Sequence, residues 1–333
     1  MRSTTTTKGD ELSDICQGCG AVFEIGDRFC EDCGYSLSGE SAEITALQCV
    51  SCASGSIDAD GFCRNCGLQA AAPDRRELDL GSCAAVTDRG KRHAHNEDAV
   101  ALRELTQPQM RVLVVSDGVS SSDRPDEAAE RAVATTVDRL AEELQDGTHP
   151  AIATVTAMAQ AAAAVAALGD SGDRSPACTL VSAVLTAEGI TLGWVGDSRA
   201  YWLAAGDSAT PPRCLTDDDS VAAGLIAHGI DAETAMASPE AHTLTAWLGA
   251  DADALEPHVR SFVPDGPGVL LLCSDGLWNY FPAAETLTDL AAPATRTTPL
   301  ATAHNLADLA LAAGGGDNIT VAVAPFPSNP RNC

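Results

Sequence analysis

Four short segments place acids where they could hold a cation: His95-Asn96-Glu97-Asp98, Ser116-Asp117-Gly118, Ser274-Asp275-Gly276 and Gly316-Asp317-Asn318. In two of them an apolar run enters Asp-Gly directly, as VLVVSDG at 112–118 and VLLLCSDG at 269–276. A carboxylate at the end of such a strand is held rigidly beside the core, where an unpaired charge is costly. The glycine after it lets backbone approach closely, so that its carbonyl can join the site. Any one Asp-Gly alone is a common turn signal. Several carboxylates converging from strand ends would repel one another unless cations sat between them. Hard divalent ions such as Mg2+ or Mn2+ suit that role, because they take oxygen ligands and keep some of their waters. Two such ions about 3.5–4 Å apart can activate a water and stabilise phosphoryl charge.

Eight cysteines nearer the N-terminus offer a different chemistry. Cys16-x2-Cys19-x10-Cys30-x2-Cys33 is followed by Cys49-x2-Cys52-x10-Cys63-x2-Cys66, each cysteine of the second copy 33 residues after its counterpart. Glycine follows Cys19, Cys33 and Cys66, as expected where a chain turns tightly around an ion. Two such turns close a tetrahedral shell of four thiolates, so the spacing predicts two structural Zn2+ ions in a double zinc ribbon. The alternative, a disulfide-stapled domain, is disfavoured by the start of the chain. Met1-Arg2-Ser3 runs into Thr4 to Thr7 without the apolar core of a signal peptide, so the thiols are expected to stay reduced. Four-thiolate sites are closed, and closed sites stabilise structure rather than catalyse.

The elements that must position the acids read as strands alternating with helices. Residues 111–116 (RVLVVS) form a short valine-rich run, best read as a buried strand. Residues 126–144 have helical spacing, with Ala129, Val133, Val137, Leu140 and Leu144 on one face and Gly147 just past the end. A second helix is expected over 151–168, then strands over 179–186, 191–195 and 199–203. Gly196-Asp197 lies between two of those strands, and its Asp reads as a turn residue rather than a ligand. A further strand is expected over 268–273, a helix opened by Thr298-Pro299, and a closing strand over 319–324. Runs of strands followed by groups of helices predict an α+β class with largely antiparallel sheets.

Composition bounds the function. The 333 residues carry a formal charge of −27, and Lys8 and Lys91 are the only lysines. Such a surface repels nucleic acid, whose binding rests on neutralised phosphates, and the ribbon segment shares the acidity. No stretch has the roughly 18 apolar residues of a membrane span, so a soluble, cytoplasmic protein is expected. A GC-rich genome or a salty cytoplasm would each account for the charge. The boundaries expected are a disordered 1–11, ribbons over 12–70, a linker over 71–80 marked by Pro73 and Asp74-Arg75-Arg76-Glu77, a second domain over 81–327 and a tail at 328–333. The remaining histidines, His149, His228, His242, His258 and His304, show no ligand spacing.

In order and context, several motifs resemble the PPM, or type 2C, metal-dependent serine/threonine protein phosphatases. They are Thr87-Asp88-Arg89-Gly90 leading to Asn96-Glu97-Asp98, Val115-Ser116-Asp117-Gly118, Trp194 through Tyr201, Ser274-Asp275-Gly276-Leu277-Trp278 and Gly316-Asp317-Asn318-Ile319-Thr320. The resemblance implies a β-sandwich of two antiparallel sheets flanked by helices, here preceded by the small double zinc ribbon module. It implies that Asp117 bridges two metals, that the Gly118 carbonyl joins one, and that Asp275 and Asp317 complete the first. Glu97 would serve the second metal, and Asp98 would orient the attacking water. A third metal would fall to Asp173, with Asp170 competing. Where many members carry a phosphate-gripping arginine this chain has His93, with Arg92 beside it. The activity implied is hydrolysis of phosphoserine or phosphothreonine in proteins by a water activated between two metals. Its substrates would be a Ser/Thr kinase and that kinase's targets. A phosphatase-like scaffold that binds phosphoproteins without turnover is the alternative, and the ribbons' partner is open.

Overall fold

The computed structural model describes residues 14–15, 22–23, 64–65, 75–107, 109–169, 174–206, 208–252, 256–291 and 298–327. All eight cysteines of the repeated pattern, Asp170, Asp173 and residues 1–11 and 328–333 lie outside them. The chain forms two units, residues 1–71 with 92–94, and residues 72–91 with 95–333. In the first, β1 (Asp14–Ile15) pairs antiparallel with β2 (Val22–Phe23).

Along the second unit run β3 (Arg76–Asp79), β4 (Ala84–Asp88), β5 (Ala99–Thr106) and β6 (Gln109–Ser116), then α1 (Pro125–Gln145) and α2 (Pro150–Ala166). Next come β7 (Ala177–Cys178), β8 (Leu180–Leu185), β9 (Ile190–Val195), β10 (Arg199–Ala204) and β11 (Arg213–Cys214), followed by α3 (Val221–Ala227) and α4 (Ala232–Met236). The remainder is β12 (Leu248–Gly249), β13 (His258–Phe262), β14 (Gly268–Cys273), α5 (Asp275–Trp278), α6 (Ala284–Ala291), α7 (Pro299–Ala313) and β15 (Ile319–Phe326). Two large antiparallel sheets result, ordered β11-β10-β14-β15-β4-β3 and β13-β9-β8-β6-β5, and β12 pairs antiparallel with β7.

Strand sequences explain the layering. In β14, Leu270 and Leu272 pack between the sheets, while Val269, Leu271 and Cys273 face α6 and α7 residues such as Leu287 and Leu306. β6 divides likewise, Leu113 and Val115 facing the other sheet and Val112 and Val114 facing α1 and α2. A strand buried on both faces has no polar positions to show, so it reads as a continuous apolar run. Each fully buried leucine or valine contributes about 1.5–3 kcal/mol of transfer free energy. α2 buries Ala153, Ala157 and Ala161 fully, and its Thr154 and Met158 lie against Gly193 of β9. α7 begins as its sequence implies, with the Thr298 hydroxyl accepting from the Ala301 N–H at 3.2 Å and Pro299 in the first turn.

One boundary differs from expectation. Residues 76–79 lie in the stretch read as linker, yet they form β3 and pair with β4 in register Arg76↔Thr87 to Asp79↔Ala84. A four-residue edge strand of sequence RELD, largely exposed, carries no apolar alternation to reveal it.

Candidate active site

The acids sit where strands of both sheets end. Asp117 and Gly118 follow β6, and Glu97 and Asp98 precede β5, whose Ala99 pairs with Ser116. Asp275 follows β14 at the head of α5, and Asp317 precedes β15. Asp117, Gly118, Asp275 and Asp317 line one cavity of about 470 Å³, together with Asp197, Asp251, Arg174, Thr179, His242 and Trp247. The Asp-Gly glycines are there because backbone crowds them. A Cβ on Gly118 would lie 2.7 Å from the Glu97 carbonyl oxygen, and one on Gly276 only 1.9 Å from that of Asn318.

Hydroxyl and amide groups hold the acids in place. The Asp117 N–H donates to Thr179 Oγ1 at 3.1 Å, and the Ser116 hydroxyl donates to the Thr179 carbonyl at 2.6 Å. The Gly118 N–H donates to the Glu97 carbonyl at 3.2 Å, joining two acid-bearing loops. Ser274 Oγ donates to Asp98 Oδ2 at 2.7 Å, and Ser120 Oγ donates to Glu97 Oε2 at 2.6 Å. Asn318 ties the loops further. Its Nδ2 donates to the carbonyls of Arg89 at 2.8 Å and His95 at 3.0 Å, and its Oδ1 accepts from the Glu97 N–H at 2.7 Å.

Charge is the unresolved quantity in this cluster. Among the described residues, Asp98 Oδ1 and Asp275 Oδ1 are buried without a hydrogen-bond partner. Burial pushes the Asp98 carboxyl up to about 7, and the Asp317 charge adds to the rise. Burial, then the charges of Asp98, Asp275 and Asp317, holds Asp117 well above the usual carboxylate range. Asp275 is raised for the same reasons, burial first and Asp317 next. Burial and Asp218 bring Asp197 to about 7. Among the described residues no three His, Cys, Asp or Glu side chains close around a single point, so the acids line a cavity rather than form a tight shell. Oxygen donors, orphaned carboxylate oxygens and room for retained water fit Mg2+ or Mn2+.

The expected ligands Asp117, Gly118, Asp275 and Asp317 thus share the cavity, with Asp98 and Glu97 in the hydrogen-bonded layer beside it. Arg92 and His93 are grouped with the first unit. Asp197, read as a turn residue, is 8% exposed and lines the cavity, while its carbonyl accepts from Trp278 Nε1 at 2.9 Å. His242 also lines the cavity, though its sequence position gave no reason to single it out. Thr179 and Asn318 were not assigned roles from the sequence. Asn318 carried one weak signal, its place directly after Asp317.

Residues 87–310 match the family model for Protein phosphatase 2C. The chain is 32% identical over 246 residues to a serine/threonine phosphatase stp of Listeria innocua, covering 71% of this chain and 92% of that protein. It superposes on the PPM Ser-Thr phosphatase MsPP from Mycobacterium smegmatis, solved with cacodylate, with a TM-score of 0.61 and 28% identity, over 74% of this chain and 99% of that one. The catalytic domain of the serine threonine protein phosphatase PstP, solved with 2 manganese ions, has the same fold. Its TM-score is 0.57 at 24% identity, over 75% of this chain and 98% of that one.

Proposed function

The chain belongs to the protein phosphatase 2C family, and on that premise we propose that it is a metal-dependent enzyme hydrolysing phosphoserine and phosphothreonine in proteins. One observation carries the reading: Asp117, Asp275 and Asp317, from the ends of both sheets, meet at one cavity beside buried carboxylate oxygens that lack partners. Asp117, the Gly118 carbonyl, Asp275 and Asp317 would hold two ions, with Glu97 serving the second. When bound, Mn2+ or Mg2+ supplies an activated water and neutralises charge on the phosphoryl group. Asp98 is suited to orient that water and hold its proton, since Ser274 fixes Oδ2 while, among the described residues, Oδ1 has no hydrogen-bond partner. Arg92 and His93 are the candidates for gripping phosphate that the family resemblance supplies. Arginine does so bidentately, histidine only when protonated.

The finer assignments rest on sequence. Cys16, Cys19, Cys30 and Cys33 would hold one Zn2+, and Cys49, Cys52, Cys63 and Cys66 a second, on the duplicated spacing. Asp173 is the third-metal candidate. Phosphorylated proteins, including a Ser/Thr kinase and its targets, would be the partners, in the cytoplasm. Among the described residues no helix is long and apolar enough to cross a membrane.

Asp117→Asn and Asp275→Asn test the centre, because an amide is a poorer ligand for a hard cation. At saturating Mn2+ each is expected to lower hydrolysis of a phosphothreonine peptide on the order of a hundredfold or more, with an unchanged circular dichroism spectrum. Near-normal turnover in either purified variant would overturn the assignment.

A further inference from the structure

The cavity is lined by five carboxylates, Asp117, Asp197, Asp251, Asp275 and Asp317, and among its described lining residues Arg174 is the single Arg or Lys. A phosphate monoester arriving as a dianion meets strong repulsion from such a wall, even after two divalent ions offset part of it. A permanently charged side chain at the mouth relieves that repulsion and can hold the phosphoryl oxygens that the ions leave free. We propose that Arg174, in place of the Arg92 or His93 that the resemblance supplies, is the residue of this chain that grips the substrate phosphate. The assignment rests on the phosphatase reading and deepens it.

Geometry supports the choice. Arg174 is exposed, as a group that meets an incoming phosphoprotein must be. Among the described residues its guanidinium is engaged in no hydrogen bond or ion pair. Its backbone, by contrast, is anchored to the loop that follows Asp117 and Gly118. The Asp123 N–H donates to the Arg174 carbonyl at 3.1 Å, and the Val119 N–H donates to the Ala177 carbonyl at 2.9 Å. The Ala177 N–H donates to Ser122 Oγ at 3.2 Å, and two residues on the Thr179 N–H donates to the Asp117 carbonyl at 2.8 Å. The base of the side chain is therefore fixed relative to Asp117 while its charged end is free to reach. A guanidinium presents two parallel N–H donors to two phosphate oxygens, which a lysine ammonium does not. His242 lines the same cavity but is charged only when protonated.

The test is steady-state kinetics of the full-length chain at saturating Mn2+, with p-nitrophenyl phosphate and a phosphothreonine peptide as substrates and inorganic phosphate as competitive inhibitor. Arg174→Ala is expected to raise KM for both substrates and Ki for phosphate by about tenfold or more, in parallel. kcat should change by less than about threefold. Arg174→Lys should recover part of the loss, and melting temperatures should match, since the side chain is exposed. A parallel rise in Ki separates phosphate contact from a structural effect, which would lower kcat or stability without a matched change in phosphate affinity. If the unaltered chain hydrolyses both substrates but Arg174→Ala keeps KM and Ki within twofold, the Arg174 proposal fails and the phosphatase reading stands. If the unaltered chain hydrolyses neither substrate, the phosphatase reading itself fails, and the Arg174 proposal with it.

Discussion

Asn318 makes three hydrogen bonds with one amide, and all three reach backbone of the loop that carries Glu97 and Asp98. Alanine there would leave two carbonyls and one N–H in partly buried surroundings without their partner, at a cost of about 1–3 kcal/mol. Asn318→Asp keeps the acceptor for the Glu97 N–H but turns the donor end into an oxygen facing two carbonyls. We expect both variants to lower kcat by about tenfold or more, Asn318→Asp no less than Asn318→Ala, because misplaced catalytic groups lose rate steeply. Mn2+-saturated kinetics with a thermal melt checks this, and full activity in either variant would show that the loop is held by other contacts. The same residue marks the limit of what sequence could reveal. Asp117 and Asp275 were legible because each interrupts an apolar run with a charge that needs a reason to be there. Asn318 bonds to backbone more than 220 positions away, a relation no local pattern encodes. Asp197 is a different case: Gly196-Asp197 forms the bend between β9 and β10 that its sequence implies, and only packing brings that bend to the cavity.

At the scale of elements, the strands read from apolar runs came through because both of their faces are buried, and α1 because its apolar positions recur on one face. The half-exposed β5 (Ala99–Thr106) was not read. β14 appears over the residues expected, and α1 and α2 begin within one residue of their predicted starts. The short helices α3 and α4 did not come through, because they are held by caps rather than by periodic burial. Ser220 Oγ accepts from the Ala223 N–H to start α3, and Asp231 does the same for Thr234 in α4. β3 was missed for want of apolar alternation, and its loss should matter. All five residues of β4 are buried, and β3 covers its outer edge. Arg75, just before β3, donates to Asp88 Oδ2 at 3.2 Å and to Asp308 Oδ1 at 3.0 Å, and bonds His304 Nδ1 at 2.8 Å. Asp88 in turn accepts from the Gly90 N–H, at the start of the loop that leads to Glu97. A chain beginning at residue 72 is expected to fold and hydrolyse p-nitrophenyl phosphate. One beginning at residue 80 exposes β4 as an unpaired edge and removes the cation beside the nearly buried Asp88. Its melting temperature should fall by at least about 5 °C, since each kcal/mol is about 2–4 °C at this size. Equal melting temperatures for the two would mean that β3 adds nothing to the sheet.

For the molecule as a whole, two kinds of negative charge need separating. The formal charge of −27 is spread over the chain, and its self-repulsion is screened by salt. The carboxyls of the centre are buried or half-buried, and salt reaches them less. Asp98 and Asp197 are raised to about 7, and Asp117 and Asp275 are also raised, all chiefly by burial. In the unfolded chain these groups titrate near 4. Between those values the folded protein binds more protons than the unfolded one, so its stability must fall as pH rises. For Asp98 and Asp197 the contribution is whole below about 4 and is lost as pH rises through about 7. A divalent cation binds the deprotonated form and reverses the sign, because it stabilises the folded state most where the carboxylates are ionised. The expectation is therefore a crossing pattern, measured in about 0.5 M KCl so that surface repulsion is screened. With chelator present, melting temperature should decline steadily from pH 5 to pH 8. With saturating Mn2+ the decline should vanish or invert, and the gap between the two conditions should widen with pH. Parallel curves would show that the ions do not bind at these carboxylates, however well the cavity suits them.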